Sequence, residues 1–173
     1  MRIKYFLIFT TIICFICGCE NQDQTSKSPE EILEAAEIKY DQYLTFELLD
    51  QPSRCLIFYR VQNTVVGALM AFENNGWKKI ESIHLNADNV DRMSWNFKNF
   101  GKYEYQSFSG LILDREIQQV NLQLSDTVVP AKIVVINDNL KLWYAMKQEV
   151  TKYQSDYHII ALSAEGEELI RFK

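Results

Sequence analysis

The spacing of hydrophobic residues changes along the chain from a helical period to a strand period. Ser28, Pro29 and Glu31 form a helix-start signal, because a serine can cap the helix, proline suits the first turn and the glutamate completes a capping box. Apolar residues then recur at helical spacing and predict one apolar face: Leu33, Ala36, Tyr40 and Tyr43. The helix is predicted to end near Tyr43 or Leu44.

Beyond the helix, short runs rich in β-branched and aromatic residues alternate with turn residues at intervals of about 8–12 positions, as in all-β domains. The predicted strands are 44–49, 54–62, 64–72, 77–85, 111–114, 117–124, 128–137, 140–146, 157–163 and 168–172. Tight turns are expected at Asn63, Asn75-Gly76, Asp138-Asn139 and Glu165-Gly166. Residues 128–137 contain Ile133-Val134-Val135-Ile136, which is apolar on both faces and predicts a central strand. The fold class is therefore mainly β, an antiparallel β-sandwich or barrel-like domain preceded by one N-terminal α-helix.

The spacing of these elements favours one structural unit over residues 29–173. Within it, 44–85 is predicted to form an antiparallel meander, and 102–173 is a candidate immunoglobulin-like sub-unit. Between the two, residues 86–101 are predicted to form a long polar loop that carries Trp95 and Phe97.

The first 19 residues have a composition of their own. Arg2 and Lys4 precede an apolar run over 5–17, which is shorter than the about 20 residues a transmembrane helix needs. The run closes on Ile16-Cys17-Gly18-Cys19. A buried N-terminal element of a cytosolic protein and an ordinary secretory signal are alternative interpretations. The segment resembles the lipobox signal peptide of bacterial lipoproteins.

That resemblance implies a cellular location and a membrane anchor. Residues 1–18 would be the signal peptide, Cys19 would carry a covalent diacylglycerol lipid with palmitate among its acyl chains, and residues 19–28 would tether the domain. Two acyl chains anchor a protein stably, whereas a single chain binds membranes only marginally. The implied location is the cell membrane, with the lipid-anchored domain on the extracytoplasmic face. Apart from this lipid, no cofactor is expected.

The charge of the chain bears on its partners. The formal net charge is -5, and loss of residues 1–18 would remove Arg2 and Lys4 but no acidic residue. An acidic protein lacks the basic patches that neutralise phosphates, so nucleic acid is not an expected partner.

The cysteines exclude a disulfide in a processed chain. Cys14 and Cys17 would leave with the signal peptide and Cys19 would be lipidated, so Cys55 remains without a cysteine partner. Cys55 lies in a strand-like apolar run and is interpreted as a buried, unreactive thiol.

Sequence signals for catalysis are weak. The two histidines, His84 and His158, both lie in strand patterns, without the further ligands that a metal site requires. The chain has no Gly-x-Ser-x-Gly motif and no glycine-rich phosphate loop. No catalytic residue and no metal ligand is predicted.

Aromatic residues in and after the 86–101 segment give the sharpest binding hypothesis. Tyrosine and tryptophan are enriched in the residues that dominate interfaces. The candidate binding residues are Trp95, Phe97, Phe100 and Tyr103. The alternative is that Trp95 and Phe97 fold back to cover one end of the β core.

These observations predict a non-catalytic binding or interaction module at the cell envelope, whose partner is an envelope protein or a cell-wall ligand. The alternatives are a small envelope hydrolase or chaperone of β fold, and an immunity or inhibitor lipoprotein.

Overall fold

A computed structural model describes residues 27–49, 53–88, 90–124, 127–148 and 157–173. The predicted signal peptide, Cys19 and the tether up to residue 26 lie outside these ranges. The described residues form one α-helix, twelve β-strands and a short 3₁₀ turn at Gly101–Tyr103. The elements are α1 (Pro29–Ala35), β1 (Gln42–Leu48), β2 (Arg54–Val61), β3 (Thr64–Glu73), β4 (Gly76–Asn86), β5 (Asn96–Phe100), β6 (Tyr105–Ile112), β7 (Gln119–Leu124), β8 (Thr127–Pro130), β9 (Lys132–Asn137), β10 (Leu140–Gln148), β11 (Tyr157–Leu162) and β12 (Glu168–Phe172).

The strands form three antiparallel sheets of four strands each. We call them the meander sheet (β1-β2-β3-β4), the central sheet (β5-β6-β10-β9) and the outer sheet (β12-β11-β7-β8). The predicted fold class, mainly β with one helix before the strands, is confirmed.

The start of the helix follows the predicted capping box. The Ser28 hydroxyl accepts a hydrogen bond from the Glu31 amide at 3.2 Å, and the Glu31 carboxylate accepts one from the Ser28 amide at 2.7 Å. Pro29 occupies the first turn, where its missing N–H leaves no hydrogen bond unmade.

The predicted end of the helix is wrong. Helix α1 stops at Ala35, where the Ile38 amide bonds the Leu33 carbonyl and the Glu37 amide bonds the Glu34 carbonyl, each at 2.9 Å. This is a Schellman cap, with Glu37 in the left-handed position (φ 56°) that glycine usually takes. The cap turns the chain away, so Tyr43 joins β1 and pairs with Tyr59 of β2. Strand pairing thus overrides the helical spacing of the aromatic residues.

One hairpin turn in the meander sheet differs from the prediction by one residue. The β2–β3 turn lies at Gln62 and Asn63, as expected. The β3–β4 turn uses Asn74 and Asn75, both at positive φ (53° and 64°), while Gly76 begins β4 opposite Glu73. Asparagine tolerates the left-handed conformation, so the turn does not need the glycine.

The predicted loop at 86–101 contains a strand. Residues 96–100 form β5, which pairs with β6. Strand β6 runs unbroken through Ser109 and Gly110 to Ile112, whereas the predicted strand begins only at residue 111. Every residue of β6 is buried, so its polar side chains lie in the interior of the fold and do not mark a turn.

The single central strand predicted at 128–137 is two edge strands. Pro130, which has no N–H for a ladder, ends β8 in the outer sheet, and Lys132 begins β9 in the central sheet. Strand β9 pairs only with β10 among the described strands, and Val135 is 68% exposed. Its apolar run therefore belongs to an edge strand that is covered on one side.

The central and outer sheets together have the strand order of an immunoglobulin-type sandwich. In chain order β5 to β12 take the places of strands A, B, C, C′, D, E, F and G, with A-B-E-D in one sheet and G-F-C-C′ in the other. The first of these strands, β5, precedes the candidate sub-unit over 102–173, which stays a prediction.

The helix and the three sheets stack in the order helix, meander sheet, central sheet and outer sheet, and one hydrophobic cluster lies between each pair of neighbouring layers. Ile32 and Leu33 of α1 pack on one face of the meander sheet. The other face packs on the central sheet, through pairs such as Phe58 and Tyr144 with ring centroids 4.9 Å apart. The opposite face of the central sheet, with Trp143 fully buried, packs on the outer sheet. Because α1 has only two turns, it leaves part of the outer face of the meander sheet uncovered.

Candidate ligand-binding groove

Two of the four aromatic residues predicted to bind a partner lie in the core. Phe100 is 0% exposed and Tyr103 is 5% exposed, and both pack between the meander and central sheets. The Arg54 guanidinium lies 4.7 Å from the centroid of the Tyr103 ring. A partner at the surface contacts neither ring in this conformation.

The other two residues, Trp95 and Phe97, are half-buried on the opposite side of the central sheet. Trp95 packs edge-on against Tyr157, with ring centroids 5.8 Å apart, and Phe97 lies 4.9 Å from Phe108. The four residues are thus divided between two clusters and do not form one platform. A binding role for the exposed edges of Trp95 and Phe97 stays a prediction.

We expect Trp95→Ala to lower the free energy of unfolding by about 2 kcal/mol, because the indole closes the cluster between the central and outer sheets. Urea denaturation of the full chain measures this change. A variant as stable as the wild type would show instead that Trp95 contributes little to the core and is available for a partner.

A groove of about 510 Å³ lies on the outer face of the meander sheet, beside the end of α1. Its size is within the range of small-molecule sites. The floor consists of Tyr59 and Val61 of β2 and Val66 of β3. Residues 36–39, which follow the Schellman cap, form one wall, and Lys79 and His84 of the edge strand β4 also line the groove. The groove exists because the short helix ends before this part of the sheet.

Polar and charged side chains surround the apolar floor. Lys39 and Glu37 lie on the wall after the helix, Lys79 and His84 lie on β4, and Gln62 and Thr64 close the hairpin end. In the described part of the chain, neither lysine is within ion-pair distance of a carboxylate. The rim therefore presents two unpaired ammonium groups against one carboxylate, in a chain whose net charge is -5.

Tyr59 contributes a polar atom to the buried floor. The residue is 3% exposed, and its hydroxyl has no hydrogen-bond partner within the described ranges. Burial raises the pKa of this phenol above its ordinary value. The hydroxyl is therefore a hydrogen-bond donor at neutral pH, in contact with the groove.

His84 forms a hydrogen bond with a serine, a contact that also occurs in the active sites of serine hydrolases. Its Nε2 lies 3.0 Å from the Ser82 hydroxyl, two residues earlier on the same face of β4. In serine hydrolases a third group orients the histidine. Within the described residues no carboxylate bonds His84. His158 lies on β11, where it pairs with Gln123, and the groove does not include it.

A second recess, of about 350 Å³, lies where the β6–β7 and β11–β12 connections meet. Glu116, Glu165 and Glu167 line it. The Ser163 hydroxyl donates a hydrogen bond to the Glu165 carboxylate at 3.0 Å and accepts one from the Glu167 amide at 3.3 Å. No cluster of metal-ligating side chains occurs among the residues that the structure describes.

Cys55 is fully buried in β2, on the face that α1 covers. Burial raises the pKa of its thiol to about 12. We expect iodoacetamide at pH 8 to leave Cys55 unmodified in the folded protein and to modify it completely in guanidinium, because the thiolate is the reactive species. Mass spectrometry of the peptide that contains Cys55 measures both states. Rapid modification of the folded protein would contradict this assignment.

The sequence did not indicate the groove. Its lining comes from four separate segments, and no motif connects Lys39, Tyr59 and Lys79. Of its polar residues, only His84 bears on catalysis or metal binding by residue type, and its strand pattern predicts neither role. The sequence also lacks a glycine that would signal the end of α1, because Glu37 occupies the position that glycine usually takes. The groove depends on this early end of the helix.

No family model, curated protein or solved structure matches this chain. Over the described residues, no helix has the length and apolar character needed to cross a membrane.

Proposed function

We propose that this chain is a membrane-anchored extracytoplasmic lipoprotein and that its domain is a non-catalytic binding module at the cell envelope. The groove beside α1 is the observation that supports a binding site most directly. It combines a buried apolar floor with polar groups that have no partner within the described ranges, and such a combination is typical of ligand sites. The Ile16-Cys17-Gly18-Cys19 sequence supports the anchor.

The anchor and the groove are close along the chain. Cys19 precedes the cap residue Ser28 by nine positions, and an extended chain spans at most about 3.5 Å per residue. Helix α1 then carries the chain directly to the wall of the groove. A lipid on Cys19 would therefore hold the groove within tens of ångströms of the bilayer and raise its effective concentration near membrane partners.

Cross-linking in intact cells tests this proposal. Thr64 lines the groove, and its neighbour Asn63 is exposed in the turn but does not line it. We expect Thr64→Trp to fill the groove and abolish capture of a dominant envelope partner, while Asn63→Trp preserves capture. Cys19→Ala should also reduce capture, because the domain is no longer held at the membrane. Equal capture by Thr64→Trp and the wild type would contradict a binding role for the groove.

A small hydrolase is the second candidate, favoured by the hydrogen bond between Ser82 and His84, of which His84 lines the groove. A fluorophosphonate probe separates the two functions. Labelling of the wild type that is lost in Ser82→Ala would establish a reactive serine and contradict a purely binding role. The binding proposal expects no labelling of Ser82.

A further inference from the structure

The charges around the groove indicate the chemical class of its ligand. Lys39, which follows the helix, and Lys79 of β4 both line the groove and pair with no carboxylate in the described structure, where Glu37 is the only acidic side chain of the lining. Elsewhere in the described chain, Lys98 pairs with Glu81 at 2.7 Å and Lys132 pairs with Glu47. The groove thus keeps two cations without partners in an otherwise acidic chain.

Two further hydrogen-bond donors line the groove with these lysines, and this small donor set suits one singly charged group. The Tyr59 hydroxyl can donate a hydrogen bond from the floor, and the His84 ring can donate one from β4 when its other nitrogen carries the proton. Among the described residues, the lining contains no arginine, the residue that forms paired hydrogen bonds with phosphate most effectively. The apolar surface of Val61 and Val66 adjoins these donors and suits an uncharged body.

We propose that the groove binds a carboxylate attached to a compact apolar group, with the carboxylate between Lys39 and Lys79 and the apolar group over Val61 and Val66. This inference depends on the proposed function, because it assigns the ligand of the same groove. A peptide C-terminus and a free fatty acid both supply this chemistry.

Binding of matched ligands to the intact lipoprotein in nanodiscs tests the proposal, with empty nanodiscs as the blank. The peptide probes are N-acetyl-Phe-Ala and its C-terminal amide, and octanoate is the fatty-acid probe. We expect the acid to bind at least about tenfold more tightly than the amide, since only the acid makes charge-assisted hydrogen bonds. Preference for octanoate over the peptide acid would assign the fatty-acid source, and the reverse preference would assign the peptide source.

Variants show whether the named residues recognise the charge. Lys79→Gln and Lys39→Gln should each weaken binding of the acid about three- to fivefold, as expected for solvent-exposed ion pairs. Tyr59→Phe should have a similar effect and keeps the ring that fills the floor. Lys78→Gln is the matched control, because Lys78 neighbours Lys79 on β4 but does not line the groove. Its affinity should equal that of the wild type.

Two results would overturn the assignment of a carboxylate. Equal affinity for acid and amide would show that the groove does not recognise the charge, and no binding of either acid would exclude this ligand class. Neither result would contradict the proposed function if Thr64→Trp still abolished capture of a partner. If Thr64→Trp captured the partner as well as the wild type does, that result would contradict the proposed function itself.

Discussion

Gly110→Ala should destabilise the protein by about 3 kcal/mol or more, the largest effect we expect from a single methyl group. A Cβ atom at residue 110 would lie 1.9 Å from the carbonyl oxygen of Ser94 and 2.5 Å from Nε1 of Trp143. The first contact involves backbone, which cannot rotate away as a flexible side chain would. Overpacking of this kind forces the backbone to shift.

The shift would also break the hydrogen bonds that hold the start of β5 against β6. The Trp143 indole donates to the Ser94 carbonyl at 2.9 Å, and the Ser94 amide donates to the Leu111 carbonyl at 2.8 Å. Trp143 is fully buried, so an unpaired indole N–H would add a desolvation cost. Gly110 therefore allows the indole and the chain before β5 to meet.

Chemical denaturation of the full chain measures the loss. Gly76→Ala is the matched control, because no atom lies within 4 Å of a Cβ at that position and its φ is not positive. It should change the free energy of unfolding by less than about 0.5 kcal/mol. If Gly110→Ala were as stable as Gly76→Ala, the packing of Trp143 against Ser94 would be wrong.

Cys19→Ala should remove all lipid from the protein and release the domain from stable membrane attachment. Each buried methylene of an acyl chain contributes about 0.8 kcal/mol, so two chains bind far more tightly than a single chain. The proposed modification needs the Cys19 thiol, because the lipid is attached as a thioether.

Metabolic labelling with an alkyne fatty acid measures this effect in cells. The wild type and Cys17→Ala should be labelled, since Cys17→Ala keeps a small residue before Cys19. Cys19→Ala should not be labelled. Label that persists in Cys19→Ala, or an unlabelled wild type, would contradict the lipoprotein proposal.

Local signals predicted some elements closely because short-range chemistry determines them. The capping box fixed the start of α1, and the turns at Gln62-Asn63 and Asp138-Asn139 agree with their polar sequences. The meander over 44–85 required only sequential hairpins, whose strands pair with their neighbours along the chain. In these regions the residues that determine the structure are also neighbours in sequence.

Other elements depended on packing between distant residues. Strand β6 contains Gln106, Ser107 and Ser109, yet all three are buried because sheets cover both of its faces. The Ser107 and Ser109 hydroxyls have no hydrogen-bond partner in the described ranges. A polar stretch of this kind indicates a turn or an exposed strand when read alone, and only the layer order explains it.

The candidate site was the least predictable part of the molecule. Of the four aromatic residues predicted to bind a partner, Phe100 and Tyr103 are core residues, and Trp95 and Phe97 are half-buried in a different cluster. The groove instead depends on where α1 stops, which Glu37 determines through a backbone conformation that glutamate rarely adopts. The uncovered part of the meander sheet then brings Lys39, Tyr59 and Lys79 together.

The most direct test of the binding role is photo-crosslinking from within the groove in living cells. p-Benzoylphenylalanine in place of Thr64 places the reactive group in the groove, and the same group in place of Gln119 places it on the exposed side of the distant outer sheet. We expect one dominant adduct, identified by mass spectrometry, from position 64 and none from position 119. An adduct from position 119 with none from position 64 would contradict the assignment of the groove as the binding site.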